Sequence, residues 1–429
     1  MKRLLTAVVL VALVLVAAVW ALNFRDEDKI AADAADAAAP SAPASADVIA
    51  RGAYLARAGN CMGCHTTRGG VPYAGGRAIA TPFGNVYAPN LTPDAQTGIG
   101  QWSEAHFWRA LHNGRSRDGR LLYPAFPYPN YTQITRADSD ALLAYLRSLP
   151  PTTQANRPHE LGFPFDQQAA LAVWRALYFR PARQIVDVNK SAEWNRGAYL
   201  VEGLGHCNAC HSSRNTLGAV AGPFDLGGGL IPIQNWYAPS LTAAHEAGVA
   251  QWDVQQIVDL LKTGVSAKAS VSGPMTEVVA GSTQYLTDAD LRAMATFLKA
   301  LPPTESRRAE AAAPTASVSV ERGAKLYADK CAQCHGDKGE GAAGAYPALA
   351  GNRAVLIDPP ANLVHMVLEG GFPPSTAGNP RPYGMPPFGT TLNNEDIANL
   401  LSYIRSAWGH QGGAVSPVEV NRYRSTRTQ

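Results

Sequence analysis

Three short stretches of the chain contain all six of its cysteines and share the pattern Cys-x-x-Cys-His. They are Cys61-Met-Gly-Cys64-His65, Cys207-Asn-Ala-Cys210-His211 and Cys331-Ala-Gln-Cys334-His335. Two thiols about one helical turn apart match the two vinyl groups of a haem, and the adjoining histidine can reach the iron from the proximal side. The pattern therefore predicts three covalently bound haem c groups, with the cysteines as attachment points and the histidines as axial ligands.

Other chemistry of cysteine pairs explains the pattern less well. An exported protein can carry three disulfides or redox-active dithiols, but neither accounts for a histidine after every second cysteine. A tetrahedral zinc site needs its ligand pairs roughly 12 to 20 residues apart. Here more than a hundred residues separate Cys64 from Cys207.

A six-coordinate haem also needs a ligand on its distal side, and the chain has only six methionines. Met275, in SGPMTEV, and Met385, in RPYGMPPFG, lie in proline-containing loops at similar distances before a helical pattern. A thioether is soft enough to bind iron, and proline stiffens the loop. Met294 and Met366 fall within helical patterns, where core packing explains them. We therefore predict Met275 and Met385 as distal ligands of the second and third haems.

The first haem motif has no matching methionine. In LLYPAFPYPN, residues 121–130, Phe126 occupies the equivalent position, and phenylalanine cannot bind iron. We expect the first haem to be five-coordinate or weakly ligated. His112 is the alternative ligand, although its place before Asn-Gly is typical of a helix C-terminus, where it favours the helix dipole. His106 is expected to have a surface or packing role, and His159 lies further away along the chain.

The haem motifs belong to an internal repeat. RGAYLARAGNCMGCH at 51–65 resembles RGAYLVEGLGHCNACH at 196–211 and, less closely, RGAKLYADKCAQCH at 322–335. NVYAPNLT at 85–92 likewise resembles NWYAPSLT at 235–242. Each repeat closes with an amphipathic helical pattern that follows a capping residue and stops at proline or glycine. The sequence thus predicts an all-α fold of three tandem c-type cytochrome domains.

The domain boundaries follow from these repeats. In chain order we predict a membrane anchor or signal peptide (1–22), a flexible tether (23–47), cytochrome c domain 1 (48–155), a bridging segment (156–192), cytochrome c domain 2 (193–304), a linker (305–317), cytochrome c domain 3 (318–410) and a C-terminal tail (411–429).

In the bridging segment, DQQAALAVWRALYFRPA at 166–182 predicts a helix with an apolar stripe. We expect the stripe to pack against a neighbour, with membrane-surface contact as the alternative. The final VNRYRSTRTQ lacks apolar periodicity and is expected to be disordered.

The N-terminal sequence predicts where in the cell the protein is located. Lys2 and Arg3 precede an uncharged apolar stretch from Leu4 to Leu22, which is near the length that spans a bilayer. An uncleaved anchor is favoured over a signal peptide cleaved after Ala21, because the apolar run is longer than a usual signal core. In both cases the basic residues stay in the cytoplasm, so the body lies on the periplasmic side of the bacterial cytoplasmic membrane.

The overall charge argues against one class of partner. A net charge of +3 in 429 residues leaves no basic surface of the kind that nucleic-acid-binding proteins carry. We therefore expect no nucleic acid partner.

Three further stretches accompany the haem motifs: APNLTPDAQTGIGQW at 88–102, YPAFPY at 123–128 and LGFPFD at 161–166. Together they resemble the triheme cytochrome c subunits of periplasmic membrane-bound dehydrogenases, such as those of quinoprotein alcohol dehydrogenase and of flavin-dependent gluconate, sorbitol and fructose dehydrogenases. The resemblance covers residues 48–410. It implies a subunit that takes electrons from a catalytic dehydrogenase subunit and passes them to ubiquinone or another respiratory acceptor. It also implies axial ligation by His65, His211, His335, Met275 and Met385.

One departure from this family concerns the first haem. The alcohol dehydrogenase subunits resemble PAMPY where this chain has PAFPY, whereas relatives paired with molybdenum-containing aldehyde or N-heterocycle dehydrogenases tolerate the phenylalanine. That favours a molybdenum partner. The chain itself has no nucleotide-binding glycine loop, Ser/His/Asp arrangement, flavin site or molybdenum site, so substrate oxidation is assigned to another subunit. Two alternatives remain: a haem enzyme such as a peroxidase acting at the first haem, and an oxidase-associated cytochrome c subunit.

Overall fold

A computed structural model of the chain describes residues 1–24, 44–222, 225–304 and 317–425. The predicted tether and linker fall mostly outside these ranges. The chain divides into two compact units, which are described separately. Unit one contains Met1–Val186, Val201–His206 and Asn215–Ala219, and unit two contains Asp187–Leu200, Cys207–Arg214 and Val220–Gln429.

Unit one combines helices with one small sheet. Its elements are α1 (Lys2–Asn23), α2 (Ala46–Ala58), α3 (Cys61–Cys64), β1 (Ala78–Thr81), β2 (Gly84–Tyr87), α4 (Glu104–Asn113), α5 (Tyr128–Tyr131), α6 (Arg136–Arg147), β3 (Glu160–Leu161) and α7 (Gln168–Tyr178). The sheet order is β1-β2-β3 and both pairings are antiparallel, with Ala78 opposite Tyr87 and Gly84 opposite Leu161.

From residue 192 onward the chain again combines helices with one small sheet, whose strands are shorter. Its elements are α8 (Ala192–Ala198), a π-helix (Tyr199–Leu204), a 3₁₀-helix (Cys207–Ala209), β4 (Gly229–Leu230), β5 (Tyr237–Ala238), α9 (Val254–Thr263), α10 (Pro274–Gly281), a 3₁₀-helix (Thr283–Tyr285), α11 (Asp288–Lys299), α12 (Ser317–Lys330), α13 (Ala332–His335), a 3₁₀-helix (Arg353–Val355), α14 (Ala361–Glu369), α15 (Asn394–Ser406) and α16 (Pro417–Ser425). Strands β4 and β5 pair antiparallel.

Two features differ from the sequence-based expectations. The fold is predominantly helical, but the all-α prediction omitted the two small antiparallel sheets. The prediction of a disordered C-terminus is wrong for residues 420–425, which belong to α16. Val420 and Tyr423 are buried there in an apolar core shared with α14 and α15. Two buried residues in one turn are too few to produce a recognisable period in the sequence.

One helix crossing occurs three times. The helices that lead into the haem motifs, α2, α8 and α12, cross the closing helices α6, α11 and α15 at a glycine. A Cβ on this glycine would overlap a backbone carbonyl oxygen of the partner helix, and the pairs are Gly52 with Ala141, Gly197 with Ala293 and Gly323 with Asn399. The Arg-Gly-Ala of each repeat therefore marks a close contact between two helix backbones.

The arginine before each crossing glycine fixes the same pair of helices. It bonds the aspartate in the first turn of the closing helix, and the pairs are Arg51 with Asp138, Arg196 with Asp290 and Arg322 with Asp396. The N–H of each aspartate donates in turn to the capping side chain, which is Thr135, Thr287 or Asn393. The predicted capping residues are thus confirmed, and an acidic residue in the first turn suits the helix dipole.

Helix α1 is long and apolar enough to cross a membrane, with 22 residues and a mean hydropathy of 2.9. Its last residue, Asn23, is buried. The Nδ2 of Asn23 donates to the carbonyl oxygen of Ala172 at 2.9 Å, and its Oδ1 accepts from Nε of Arg175 at 3.0 Å. Arg115 donates to the Asn23 carbonyl oxygen at 3.1 Å and lies over the Phe24 ring. The end of α1 is therefore held by polar contacts within unit one.

Only part of the apolar stripe predicted for the bridging helix is buried. Leu171 of α7 is 5% exposed, whereas Val173, Leu177 and Tyr178 are exposed. The expectation that the whole stripe packs against a neighbour is therefore wrong within unit one, because α7 buries the face that carries Leu171 and Arg175.

The helix crossing gives a first prediction. Gly197→Ala should lower the melting temperature, because the added Cβ meets a backbone carbonyl oxygen that cannot rotate away. Overpacking of this kind costs about 1–3 kcal/mol, which exceeds the gain in helix propensity of up to about 1 kcal/mol. Differential scanning calorimetry measures the change. Gly162→Ala is the matched control, since the nearest atom to its Cβ would be 4.0 Å away. Equal melting temperatures for the two variants would contradict the prediction.

Candidate haem centres

The three motif histidines make the same hydrogen bond to a proline carbonyl oxygen through Nδ1. The partners and N···O distances are Pro89 for His65 (2.8 Å), Pro239 for His211 (2.7 Å) and Pro347 for His335 (2.9 Å). A carbonyl oxygen can only accept, so Nδ1 carries the proton and Nε2 keeps its lone pair. An axial ligand needs that lone pair, and a bond on the other ring nitrogen is the usual way to fix its orientation. The residues present therefore fit a haem iron.

The backbone around each histidine is also the same in all three motifs. The histidine N–H donates to the carbonyl oxygen of the first cysteine, and the histidine carbonyl oxygen accepts from a glycine N–H further along the chain. These glycines are Gly75 for His65, Gly228 for His211 and Gly341 for His335. The Cys-x-x-Cys-His pentapeptide thus forms a single turn that is tied to the following loop, and this explains why the cysteines are spaced by two residues.

No disulfide links the six cysteines, all of which lie in the described part of the chain, and burial governs the protonation of their thiols. Burial raises the pKa of Cys61 and of Cys207 to about 12, with the second cysteine of each pair adding to the effect. Burial likewise raises the pKa of Cys331 to about 11. These thiols are neutral near pH 7, unlike the low-pKa thiolates of redox-active dithiols. Burial also lowers the pKa of His65 and His211, so both imidazoles are neutral as ligands must be.

Met385 lies on a strap that is closed by its own backbone. Gly371 N–H donates to the Met385 carbonyl oxygen at 3.0 Å, and Met385 N–H donates to the Gly371 carbonyl oxygen at 2.8 Å. The half-buried side chain packs against the same apolar core as Cys331. The distal ligand and the attachment cysteine predicted for the third haem therefore pack against one core.

Met275 is the second residue of α10, directly after Pro274. The half-buried methionine follows Gly273, which has a φ of 54° and lies under the indole of Trp236. Met294 is 4% exposed within α11, in agreement with the packing role predicted for it. Met366 lies within α14, as the helical pattern indicated. The ligand roles of Met275 and Met385 stay predictions.

Phe126 lies close to the first haem motif. Its half-buried ring is 5.4 Å from the ring of Tyr131, whose hydroxyl donates to the Gly59 carbonyl oxygen at 3.3 Å, two residues before Cys61. Burial, followed by the charges of the nearby Cys61 and Cys64 thiols, raises the pKa of Tyr131 well above its ordinary value. These contacts place the segment that carries Phe126 beside the predicted attachment site of the first haem.

The other three candidate histidines of unit one have structural partners. His112 lies in the last turn of α4, with Nδ1 2.8 Å from the Thr132 carbonyl oxygen and its ring stacked on Trp108. The predicted helix-end role is confirmed. His106 completes a capping box with Ser103, so it caps α4 rather than having only the surface or packing role that was expected. Nδ1 of His159 accepts from the Tyr87 N–H at 3.1 Å, a role that the sequence did not suggest.

Known proteins similar to this chain are cytochromes c, as the geometry of the three histidines suggests. The cytochrome c family matches residues 49–150 and 320–408. The alcohol dehydrogenase (quinone) cytochrome c subunit of Komagataeibacter europaeus is 37% identical over 413 residues, which is 92% of this chain and 87% of the relative. The gluconate 2-dehydrogenase cytochrome c subunit of Pantoea cypripedii is 37% identical over 401 residues, or 89% of each chain. This chain belongs to the family of dehydrogenase cytochrome c subunits.

A third relative differs in length. A nicotinate dehydrogenase subunit of Pseudomonas putida is 42% identical over 367 residues, which is 84% of this chain but only 30% of that protein. The predicted family is thus confirmed, and with it the electron-transfer function.

Within this cytochrome subunit, the sequence alone located the cysteines and histidines but missed their backbone partners. The acceptors are three backbone carbonyl oxygens, which no particular side chain marks in the sequence. A clue was available in the Tyr-Ala-Pro that the first two repeats share at 87–89 and 237–239. It could not be read without the fold, because any backbone carbonyl can accept a hydrogen bond.

The first haem motif gives a second prediction. Phe126→Met should supply a distal thioether, so the first haem should gain methionine ligation and a higher reduction potential. The reduced variant should bind less carbon monoxide than the parent protein in a spectrophotometric titration. Phe165→Met is the control, because this half-buried phenylalanine packs on Phe83 rather than on Tyr131. A parent protein that binds no carbon monoxide would contradict an open first haem.

Proposed function

We propose that the chain is a three-haem electron relay on the periplasmic side of the bacterial cytoplasmic membrane. It takes electrons from a catalytic dehydrogenase subunit and passes them to ubiquinone or another respiratory acceptor. The observation that carries the proposal is the threefold recurrence of one arrangement, in which Nδ1 of a motif histidine is bonded to a proline carbonyl oxygen and Nε2 is left for iron. Haem iron would supply one-electron chemistry by cycling between its ferric and ferrous states.

A threefold repeat of the same helix contacts supports the proposed haem count. The Gly-to-backbone crossing and its Arg–Asp pair recur in the first, second and third repeats. The family match covers the first and third repeats. The second repeat, at 193–304, has the same contacts and the same histidine bond, which supports a cytochrome domain there as well.

We also propose that the catalytic partner is a molybdenum-containing dehydrogenase that acts on an aldehyde or an N-heterocycle. Two observations favour this class over a quinoprotein or flavoprotein. Phe126 replaces the methionine of the alcohol dehydrogenase pattern, and the relative named for nicotinate, an N-heterocyclic acid, is 42% identical over its matched region.

Helix α1 supports retention of the N-terminus as an anchor. A helix of 22 residues is about 33 Å long, which matches the hydrocarbon core of a bilayer. Asn23, at the end of α1, is hydrogen-bonded to Ala172, Arg175 and Arg115. These bonds join α1 to the folded part of unit one, which a signal peptide removed by cleavage would not need.

A peroxidase acting at the first haem is less well supported. Such an enzyme needs an acid-base group free to act beside the iron. His112 is the candidate for this acid-base group. Its Nδ1 is hydrogen-bonded to the Thr132 carbonyl oxygen, and Trp108 stacks on one face of its ring.

Purification of the native complex from membranes tests the relay. We expect a large catalytic subunit and molybdenum to co-purify with the chain, and mass spectrometry of the chain to show three haems. A variant with Cys331→Ala and Cys334→Ala should carry two haems in the same complex. A chain that co-purifies with no dehydrogenase subunit would contradict the relay, and a complex that contains pyrroloquinoline quinone or flavin without molybdenum would contradict only the partner class.

The anchor has a test of its own. The chain should stay in the membrane fraction after high-salt and alkaline washes, and mass spectrometry should detect peptides from residues 2–22. A control in which a cleavable signal peptide replaces α1 should be released into the periplasm, because it lacks the spanning helix. Release of the parent protein by the washes would show that α1 does not anchor it.

A further inference from the structure

Residues Trp236–Pro239 of unit two, which we call the axial loop, touch the segments that carry both predicted ligands of the second haem. At one end, the Pro239 carbonyl oxygen accepts from Nδ1 of His211 at 2.7 Å. At the other end, the Trp236 indole covers Gly273, two residues before Met275. A Cβ on that glycine would lie only 2.6 Å from Cδ2 of Trp236. A shift of this one loop would therefore disturb both sides of the haem.

The axial loop is held by α14, a helix of the third repeat that also lies in unit two. The Tyr237 N–H donates to Oδ1 of Asn362 at 2.8 Å, and Nδ2 of Asn362 donates to the Tyr237 carbonyl oxygen at 2.7 Å. One side chain thus supplies the donor and the acceptor that a neighbouring β-strand would supply. Both bonds are made to the backbone, so they fix the loop itself rather than a mobile side chain.

His365, almost one helical turn after Asn362, makes the second contact with the loop. Its ring stacks on Trp236 with 4.8 Å between centroids and 18° between planes. His365 is 3% exposed, and its Nδ1 lies 3.2 Å from Oε1 of Glu369. Its Nε2 has no hydrogen-bond partner among the described residues. The stack on Trp236 gives this buried ring a packing role against the axial loop.

The first repeat closes the same loop in a different way. In its NVYAPNLT, the Tyr87 N–H donates to Nδ1 of His159, and β3 pairs with β2 beside it. Val86 stands at the position of Trp236. The loop of the first haem is therefore covered by the bridging segment of its own unit, whereas the loop of the second haem is covered by a helix that belongs to the third repeat.

We propose that Asn362 and His365 are positioning residues for the second haem, through which the third cytochrome domain sets the ligand geometry and the reduction potential of its neighbour. The inference rests on the proposed three-haem function and deepens it. A bond on the far nitrogen fixes an axial histidine and tunes its basicity, and a closed loop keeps water from the iron. Loosening the loop admits water, which stabilises the ferric charge and lowers the potential.

The decisive variant is Asn362→Leu, which removes both bonds to Tyr237 at similar volume. In a spectroelectrochemical titration of the full-length protein in detergent, we expect the ratio of reduced to oxidised second haem to fall about threefold at a fixed ambient potential. This equals about 28 mV at 59 mV per tenfold for one electron. Asn362→Asp keeps an acceptor for the Tyr237 N–H but sets a carboxylate oxygen against the Tyr237 carbonyl oxygen and adds a negative charge, so it should shift the ratio in the same direction. Trp236→Val, which installs the residue of the first repeat, should shift it in the same direction.

Two further variants make the assignment specific. Met275→His changes the predicted distal ligand of the second haem, so the titration component that moves in this variant identifies that haem. His159→Ala is the matched control, because it removes the equivalent contact from the loop of the first haem. It should shift the first haem and leave the second unchanged, whereas Asn362→Leu should do the reverse.

The outcomes separate this inference from the proposed function. If Asn362→Leu binds its full haem complement and all three potentials stay at the parent values, or if all three shift together, the inference is wrong and the relay stands. If the parent protein titrates with fewer than three haems, the proposed function itself fails. Should Asn362→Leu not load its haems, Asn362→Asp and Trp236→Val decide the question by the same criterion.

Discussion

The hydrogen bond from a histidine Nδ1 to a proline carbonyl oxygen is the interaction on which the three candidate haem centres depend. A histidine beside two cysteines can turn either nitrogen toward a metal, and only the bond on Nδ1 decides that Nε2 keeps its lone pair. The structure makes this bond at His65, His211 and His335 with nearly the same length. Because the acceptor is backbone, the proline loop must be positioned accurately, and the remaining elements of each repeat serve that requirement.

The helix crossing supplies much of that accuracy. The helix that leads into each haem motif is fixed against the closing helix by a glycine without a Cβ and by an arginine bonded to a first-turn aspartate. A close backbone contact tolerates little sliding, so the cysteines that follow the first helix start from a defined place. The Arg–Asp pair joins a partly exposed arginine to a mostly buried aspartate, so it also keeps that carboxylate paired. Its value lies in geometry, since it sets the rotation of one helix against the other.

The repeats are alike in these contacts and differ in what surrounds them. The first has phenylalanine in the position of the distal methionine and shares a unit with the membrane-length helix, whose Asn23 it holds through Arg115. The second shares a unit with the third and receives Asn362 and His365 from it. Haems held in the same fold differ in potential through their ligands, burial and neighbouring contacts. The differences among these repeats fall in those three places.

The sequence by itself determined the chemistry of the chain. Covalent attachment requires two cysteines and a histidine at fixed spacing, so the motif is local and can be recognised without a fold. The repeats, the caps of the closing helices and the apolar N-terminal helix are local patterns as well, and the structure agrees with them. Tertiary structure alone decided which backbone oxygens hold His65, His211 and His335, and that His159 closes the loop of the first repeat while Asn362 closes that of the second. It also made α16 a packed helix. These contacts join residues far apart in the chain through backbone atoms or single side chains, and such partners leave no period or spacing in the sequence.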